Sequence, residues 1–140
     1  MAEATNQLQV RLVTPERTLI ESRATSVQLP SKSGYLEALY GHAPLVAELG
    51  AGDVTLNPES PDAEVYNVSW GFAEVLPDRV TILAYDALRP EEIDVARAED
   101  QLDRGLQLWK EAGESEETYN EALRMIAEAE AKIATAAAKH

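Results

Sequence analysis

Pro90 divides this chain into two kinds of sequence. Upstream, short alternating apolar runs are separated by turn residues; downstream, from Pro90-Glu91-Glu92-Ile93-Asp94-Val95-Ala96-Arg97-Ala98 onward, almost only helix-forming residues remain. Proline suits a first helical turn, where its missing N–H leaves no bond unmade. Glu91, Glu92 and Asp94 sit where a helix dipole favours negative charge. The division predicts an α+β chain: a β-sandwich or small barrel over 1–87, then two antiparallel helices over 88–140.

The helical part has its own punctuation. Val95, Ala98, Leu102, Leu106 and Trp109 fall on one helical face. Arg97 and Arg104, seven apart, share another. Ala112-Gly113-Glu114-Ser115 ends one helix and starts the next, with Gly113 suited to the left-handed terminal position and Ser115 to the N-cap. In the second helix Tyr119, Leu123, Ile126, Ile133 and Ala137 make a thinner stripe, filled in by alanines. Alanine is the best helix former but buries little surface. Two readings stay open: a mobile hairpin that is helical wherever it lies, and a static hairpin that completes the core of the β part.

Before Pro90 the alternation is that of half-buried strands. Leu8, Val10 and Leu12 alternate with Gln9 and Arg11 until Pro15 intervenes; Thr18 to Glu21 and Thr25 to Leu29 follow. Pro30-Ser31-Lys32-Ser33-Gly34 reads as a turn, with Tyr35 and Tyr40 in the loop region beyond. Leu45 to Leu49 and Val54 to Leu56 flank Gly50-Ala51-Gly52 at a hairpin-like spacing. Val65 to Trp70, Phe72 to Leu76 and Val80 to Tyr85 complete the set, the last two joined by Pro77-Asp78-Arg79. Strands at such short intervals suit a sandwich or small barrel. Trp70, Phe72, Tyr35 and Tyr40 read either as core and corner residues or as part-exposed aromatics at a partner surface.

Charge and composition narrow the function. The chain carries a net charge of −13. Acidic residues outnumber basic ones on both sides of the junction, 12 to 5 in 1–87 and 13 to 7 in 88–140. No Lys/Arg cluster provides the cationic footprint that nucleic acid requires, and an anionic membrane surface is disfavoured for the same reason. No apolar run is long enough to span a bilayer, and the first residues show no signal-peptide pattern. With no cysteine, disulfides and thiolate metal sites are excluded, and the expected compartment is cytoplasmic.

The search for catalytic chemistry yields little. No phosphate-binding glycine loop and no metal-ligand spacing occurs. His42, between Gly41 and Ala43-Pro44, has neither a nucleophile nor an orienting carboxylate at a readable spacing, so it reads as a structural or interface histidine. Asp94, Arg97 and Arg104, at i, i+3 and i+10 near a helix start, could serve a nucleotide: guanidinium forks match phosphate oxygens, and a carboxylate can accept from a ribose hydroxyl or adenine amino group. The same spacing equally describes a solvated, salt-bridged helix face.

Three stretches, in order along the chain, resemble the epsilon subunit of F-type ATP synthase, called delta in mitochondria. Leu39-Tyr40-Gly41-His42-Ala43-Pro44-Leu45 is similar to that family's Gly-His-Ala-Pro-Leu loop. Trp70-Gly71-Phe72-Ala73-Glu74-Val75, followed by Val80-Thr81-Ile82-Leu83-Ala84, resembles its Gly-Gly-Phe-x-Glu-Val and Val-Thr-x-Leu-Ala strands. Ile93-Asp94-Val95-Ala96-Arg97-Ala98 resembles the Ile/Leu-Asp-x-x-Arg-Ala motif that opens the family's helical tail. The resemblance implies a sandwich of about ten strands with a helical hairpin. It implies a non-catalytic place in the central rotor, between the gamma subunit and the c ring, at the cytoplasmic face of a bacterial inner membrane or the stromal face of a thylakoid. In the family the tail extends toward the alpha/beta catalytic head to suppress ATP hydrolysis, or folds back; in some members ATP held by the motif's Asp and Arg, here Asp94 and Arg97, favours the folded state.

Some positions depart from the family pattern. Glu37 stands where glycine is usual and Tyr40 where proline is common; with His42 they form the candidate rotor interface. The second helix carries Glu116, Glu117, Glu121, Glu128 and Glu130 against Arg124, Lys132 and Lys139, whereas several inhibitory relatives are basic there. Inhibition by this tail is therefore expected to be weak or absent. Only Arg124 is available as a second-helix arginine, so weak ATP binding at best is expected, and no cofactor is required. Two other readings are a free-standing ATP-sensing hairpin and a small hydrolase with His42 as base. The first would need no gamma subunit; the second predicts activity from the isolated chain.

Overall fold

The computed structural model describes residues 6–138. It divides into two compact units, Met1–Arg89 and Pro90–His140. The first holds seven strands: β1 (Leu8–Val13), β2 (Thr18–Ala24), β3 (Ser26–Ser31), β4 (Gly34–Leu39), β5 (Leu45–Leu56), β6 (Glu64–Leu76) and β7 (Arg79–Leu88). They form one sheet in the order β2-β1-β7-β6-β5-β3-β4. All neighbours are antiparallel except β1 and β7. Leu8, Val10 and Leu12 near one end of this order share a core cluster with Val27, Leu29 and Ala38 from the other. A sheet whose two ends bury against each other has folded over on itself into a sandwich.

The fold-over explains why seven strands stand where about ten were expected. Gly50-Ala51-Gly52 is no hairpin; β5 runs straight through it as a 12-residue strand, and β6 runs through Trp70-Gly71 as a 13-residue one. In each the inward parity changes at that point. Leu49 faces in, then Gly52, Val54 and Leu56; Tyr66 and Val68 face in, then Gly71, Ala73 and Val75. β7 does the same, from Val80, Ile82 and Ala84 to Ala87. Simple alternation breaks there, so the sequence reads as separate short strands. The pairing register nevertheless continues unchanged, Leu49↔Gly71 and Ala51↔Ser69, so the ribbon turns a corner without an inserted residue.

Backbone conformation fixes this corner. Trp70 adopts φ +61° and Gly71 φ +128°. A Cβ on Gly71 would collide with the carbonyl oxygen of Leu83 on β7, so only glycine fits. β4 extends over the stretch expected to be loop, and carries Tyr35. The Tyr35 hydroxyl accepts the Asp53 N–H at 3.0 Å, where the β3–β5 register shifts between Gln28 and Ser31. Pro30, which has no N–H to give, sits inside that irregular stretch. Gly52 leaves room there; a Cβ would lie 2.5 Å from the Tyr35 hydroxyl.

The second unit begins with a 3-10 turn over Pro90–Glu92, then α1 (Val95–Glu111) and α2 (Glu116–Ala137). Asp94 caps α1 by accepting the Arg97 N–H at 3.1 Å, and Ser115 caps α2 by accepting the Thr118 N–H at 3.3 Å. Gly113 takes φ +57° between them. The helices pair through only part of the expected faces, Ala98 on α1 and Ile126 on α2. Val95, Leu106 and Trp109 on α1, and Tyr119 and Leu123 on α2, are exposed. The buried residues are small: Ala98 and Gly105 on α1 and its C-cap Ala112, at spacings of seven, with Ala122, Ala129 and Thr135 on α2. A Cβ at Gly105 would meet Ile126 Cγ1 at 3.0 Å and Met125 Cβ at 3.2 Å. Close backbone approach, rather than large interlocking side chains, thus sets this pairing.

Candidate rotor-interface surface and candidate nucleotide site

The turn after β4 builds the first candidate site. Gly41 takes φ +89°, and its N–H donates to the Pro77 carbonyl at 2.6 Å. The His42 N–H donates to the Leu39 carbonyl at 3.0 Å. The first bond ties the loop to the Pro77-Asp78 turn between β6 and β7, and the second closes the turn on itself. Tyr40 is exposed on it, and His42 is half-buried with its Nδ1 2.6 Å from the Ala43 carbonyl. That contact leaves His42 pinned to its own backbone, with no nucleophile or carboxylate on its ring among the described residues. Glu37 lies on edge strand β4, exposed and paired across to Gln28. Tyr40 and His42 therefore share one turn, and Glu37 sits on the strand that leads into it.

A second exposed feature lies on the outer face of the same sheet. The register aligns Val13, Leu83, Phe72 and Glu48 in one row across β1, β7, β6 and β5. Phe72 is 48% and Leu83 54% exposed; Tyr85, two residues along β7, and Val46, two before Glu48 on β5, are exposed further. A row of large apolar side chains turned away from a complete core marks a binding surface. Sequence reasoning singled out Phe72 but missed Val46, Leu83 and Tyr85. The available signal was alternation itself: with Ile82 and Ala84 inward, Leu83 and Tyr85 must point out.

The nucleotide candidates are less concentrated. The Asp94 carboxylate is engaged as the α1 cap. Arg97, in the first turn, is exposed. Arg104 binds Asp100 one turn before it, Nε to Oδ2 at 3.0 Å. Seven residues of helix separate the two arginines by about 10 Å of rise. Asp94 and Arg97 thus share one turn, while Arg104 lies two turns on and is already paired. Arg124 is exposed on α2.

A sandwich made from one folded sheet and followed by a helical hairpin is a recurrent domain pair, and comparison gives its class. Residues 7–90 match the family model described as ATP synthase, Delta/Epsilon chain, beta-sandwich domain. The ATP synthase epsilon chain of Koribacter versatilis is 46% identical, over 73% of this chain and 71% of its own. That of Solibacter usitatus is 40% identical, over 92% of this chain and 95% of its own. A chain from the Euglena gracilis mitochondrial ATP synthase (OSCP/F1/c-ring assembly) superposes with a TM-score of 0.78 at 21% identity, covering 92% of this chain and 81% of that one. The present chain belongs to the ATP synthase epsilon chain family. Subunits of this kind are non-catalytic parts of the complex.

Proposed function

We propose that this chain joins the gamma subunit to the c ring in the central rotor of an F-type ATP synthase, without chemistry or cofactor of its own. The observation that carries this reading is the outward row of Leu83 and Phe72, with Tyr85 and Val46 beside it, on a sheet that is already complete. Burying such side chains against a partner is worth about 25 cal/mol per Å² of apolar surface. We assign gamma to this face and the c ring to the turn of Tyr40 and His42, with Glu37 beside it. The test is gel filtration of the full chain with purified gamma subunit. Co-elution is expected, and Phe72→Asp with Leu83→Asp should abolish it. Two separate peaks from the unaltered proteins would end the assignment.

The hairpin contributes little regulation in this reading. α2 presents five glutamates, at 116, 117, 121, 128 and 130, against Arg124 and Lys132; Lys139 lies outside the described residues. Its net charge opposes docking on an acidic catalytic head. The capping role of Asp94 and the pairing of Arg104 leave Arg97 as the main candidate contact for ATP, which supports weak binding. Calorimetric titration of the full chain with ATP should give a dissociation constant in the millimolar range, weakened further by Arg97→Ala. Micromolar affinity would favour the ATP-sensing hairpin instead. The bacterial relatives favour the cytoplasmic face of an inner membrane over a thylakoid, with the chain held peripherally through its partners. Release from inverted vesicles when the stalk is stripped off would check that placement.

A further inference from the structure

The outer face of β2, β1 and β7 carries a cationic patch that the rotor reading leaves unused. Register places Arg23 and Arg79 on either side of Gln9, one on β2 and one on β7, all three exposed. Arg11 follows on the same face of β1, held by Glu21 at 3.4 Å. These side chains border an open cleft of about 500 Å³ whose far wall includes Glu74. Only five basic residues occur in 1–87, and three of them meet here, on a chain of net charge −13. Among the described residues the side chain of neither Arg23 nor Arg79 takes part in an ion pair or hydrogen bond.

We propose that this cleft receives an acidic peptide segment of a partner protein, with a carboxylate seated on each of Arg23 and Arg79. Two strand spacings set their backbones about 9.5 Å apart. Carboxylates two residues apart on an extended peptide lie about 7 Å from one another, within reach of two flexible guanidinium arms. Each arm can close a bidentate fork on its carboxylate, while Gln9 between them can both donate to and accept from the peptide backbone. Glu21 and Glu74 on the flank disfavour a dense phosphate charge, and can accept from the segment's amides or a lysine. The floor of the cleft is sheet backbone already bonded in its ladder, so it offers no nest of amides for phosphate.

Fluorescence anisotropy of the full chain with a labelled alternating Glu-Thr decapeptide tests this. Saturable binding that weakens with salt is expected, against none for the Gln-Thr decapeptide. Arg23→Gln with Arg79→Gln should weaken it at least tenfold, and Lys32→Gln, outside the cleft, less than twofold. Circular dichroism melting confirms that each variant is folded. Equal binding of the Gln-Thr peptide, retention in the double variant, or equal loss with Lys32→Gln would overturn the proposal. Displacement of the peptide by inorganic phosphate at millimolar concentration would likewise overturn it, assigning the arginines to a small anion. None of these outcomes bears on co-elution with gamma, which uses other residues.

Discussion

Gly71 and Trp70 carry the heaviest local constraint in the sandwich. Trp70 holds a left-handed backbone that costs a non-glycine residue on the order of 1–3 kcal/mol, at a position where the family motif has glycine. Its ring lies 5.9 Å from the Lys32 ammonium, a cation–π contact that offsets part of that cost. Gly71 has no such latitude, because both its φ of +128° and the Leu83 carbonyl exclude a side chain. Gly71→Ala is therefore expected to destabilise the sandwich by about 3 kcal/mol, read as a lowered urea midpoint with an unchanged slope. A midpoint equal to that of the unaltered chain would show that the corner can relax. Among the described residues Asn57 is the other non-glycine residue with positive φ, at +54°, and its Oδ1 accepts from both the N–H and hydroxyl of Thr25 at 2.8 Å. Asparagine tolerates this conformation well, so this turn is far less strained.

Among the elements, the helix pair departs most from what periodicity implies. Wheel positions imply a contact stripe of Val95, Ala98, Leu102, Leu106 and Trp109, yet of these only Ala98 is fully buried, and Gly105, off the stripe, lies against Met125 and Ile126. Hydrophobicity ranks residues by the surface they can bury, but close helix approach selects for small ones. Gln101 strengthens the pairing by donating its side-chain N–H to the Met125 carbonyl at 3.1 Å. Gly105→Leu should therefore part the helices despite a gain of about 0.8 kcal/mol in helix propensity, because overpacking costs about 1–3 kcal/mol. Hydrogen exchange would show lost protection across α2; unchanged protection would mean that the seam is not limiting. Caps, by contrast, were legible: Ser115, Gly113 and the acidic start after Pro90 announce themselves by residue type. β1 and the inner half of β7 were legible from alternation, whereas β4 was hidden because only Leu36 and Ala38 on it turn inward. The candidate site was half legible for the same reason: the Gly41-His42 turn has a motif, whereas the outer apolar row emerges only once strands are set side by side.

At the scale of the whole molecule, the two units have separate reasons to fold. The core cluster draws only on residues of 1–89, and the helices have their own seam. A chain truncated after Arg89 should keep a cooperative thermal transition within a few degrees of the full chain's sandwich transition. In the assembled enzyme the same truncation should change the ATP hydrolysis rate less than twofold, given the acidity of α2. A several-fold rise would show that the tail restrains the enzyme despite its charge.

The unbroken passage of β5, β6 and β7 round the corner has a mechanical consequence. In a sandwich of two separate sheets, a sideways force on one layer is resisted by side-chain contacts and by the loops between layers. Here three consecutive strands cross from layer to layer with their hydrogen-bond register intact on both sides. Twisting one layer against the other would therefore strain covalent backbone and ladder together, which suits the proposed place in a rotor.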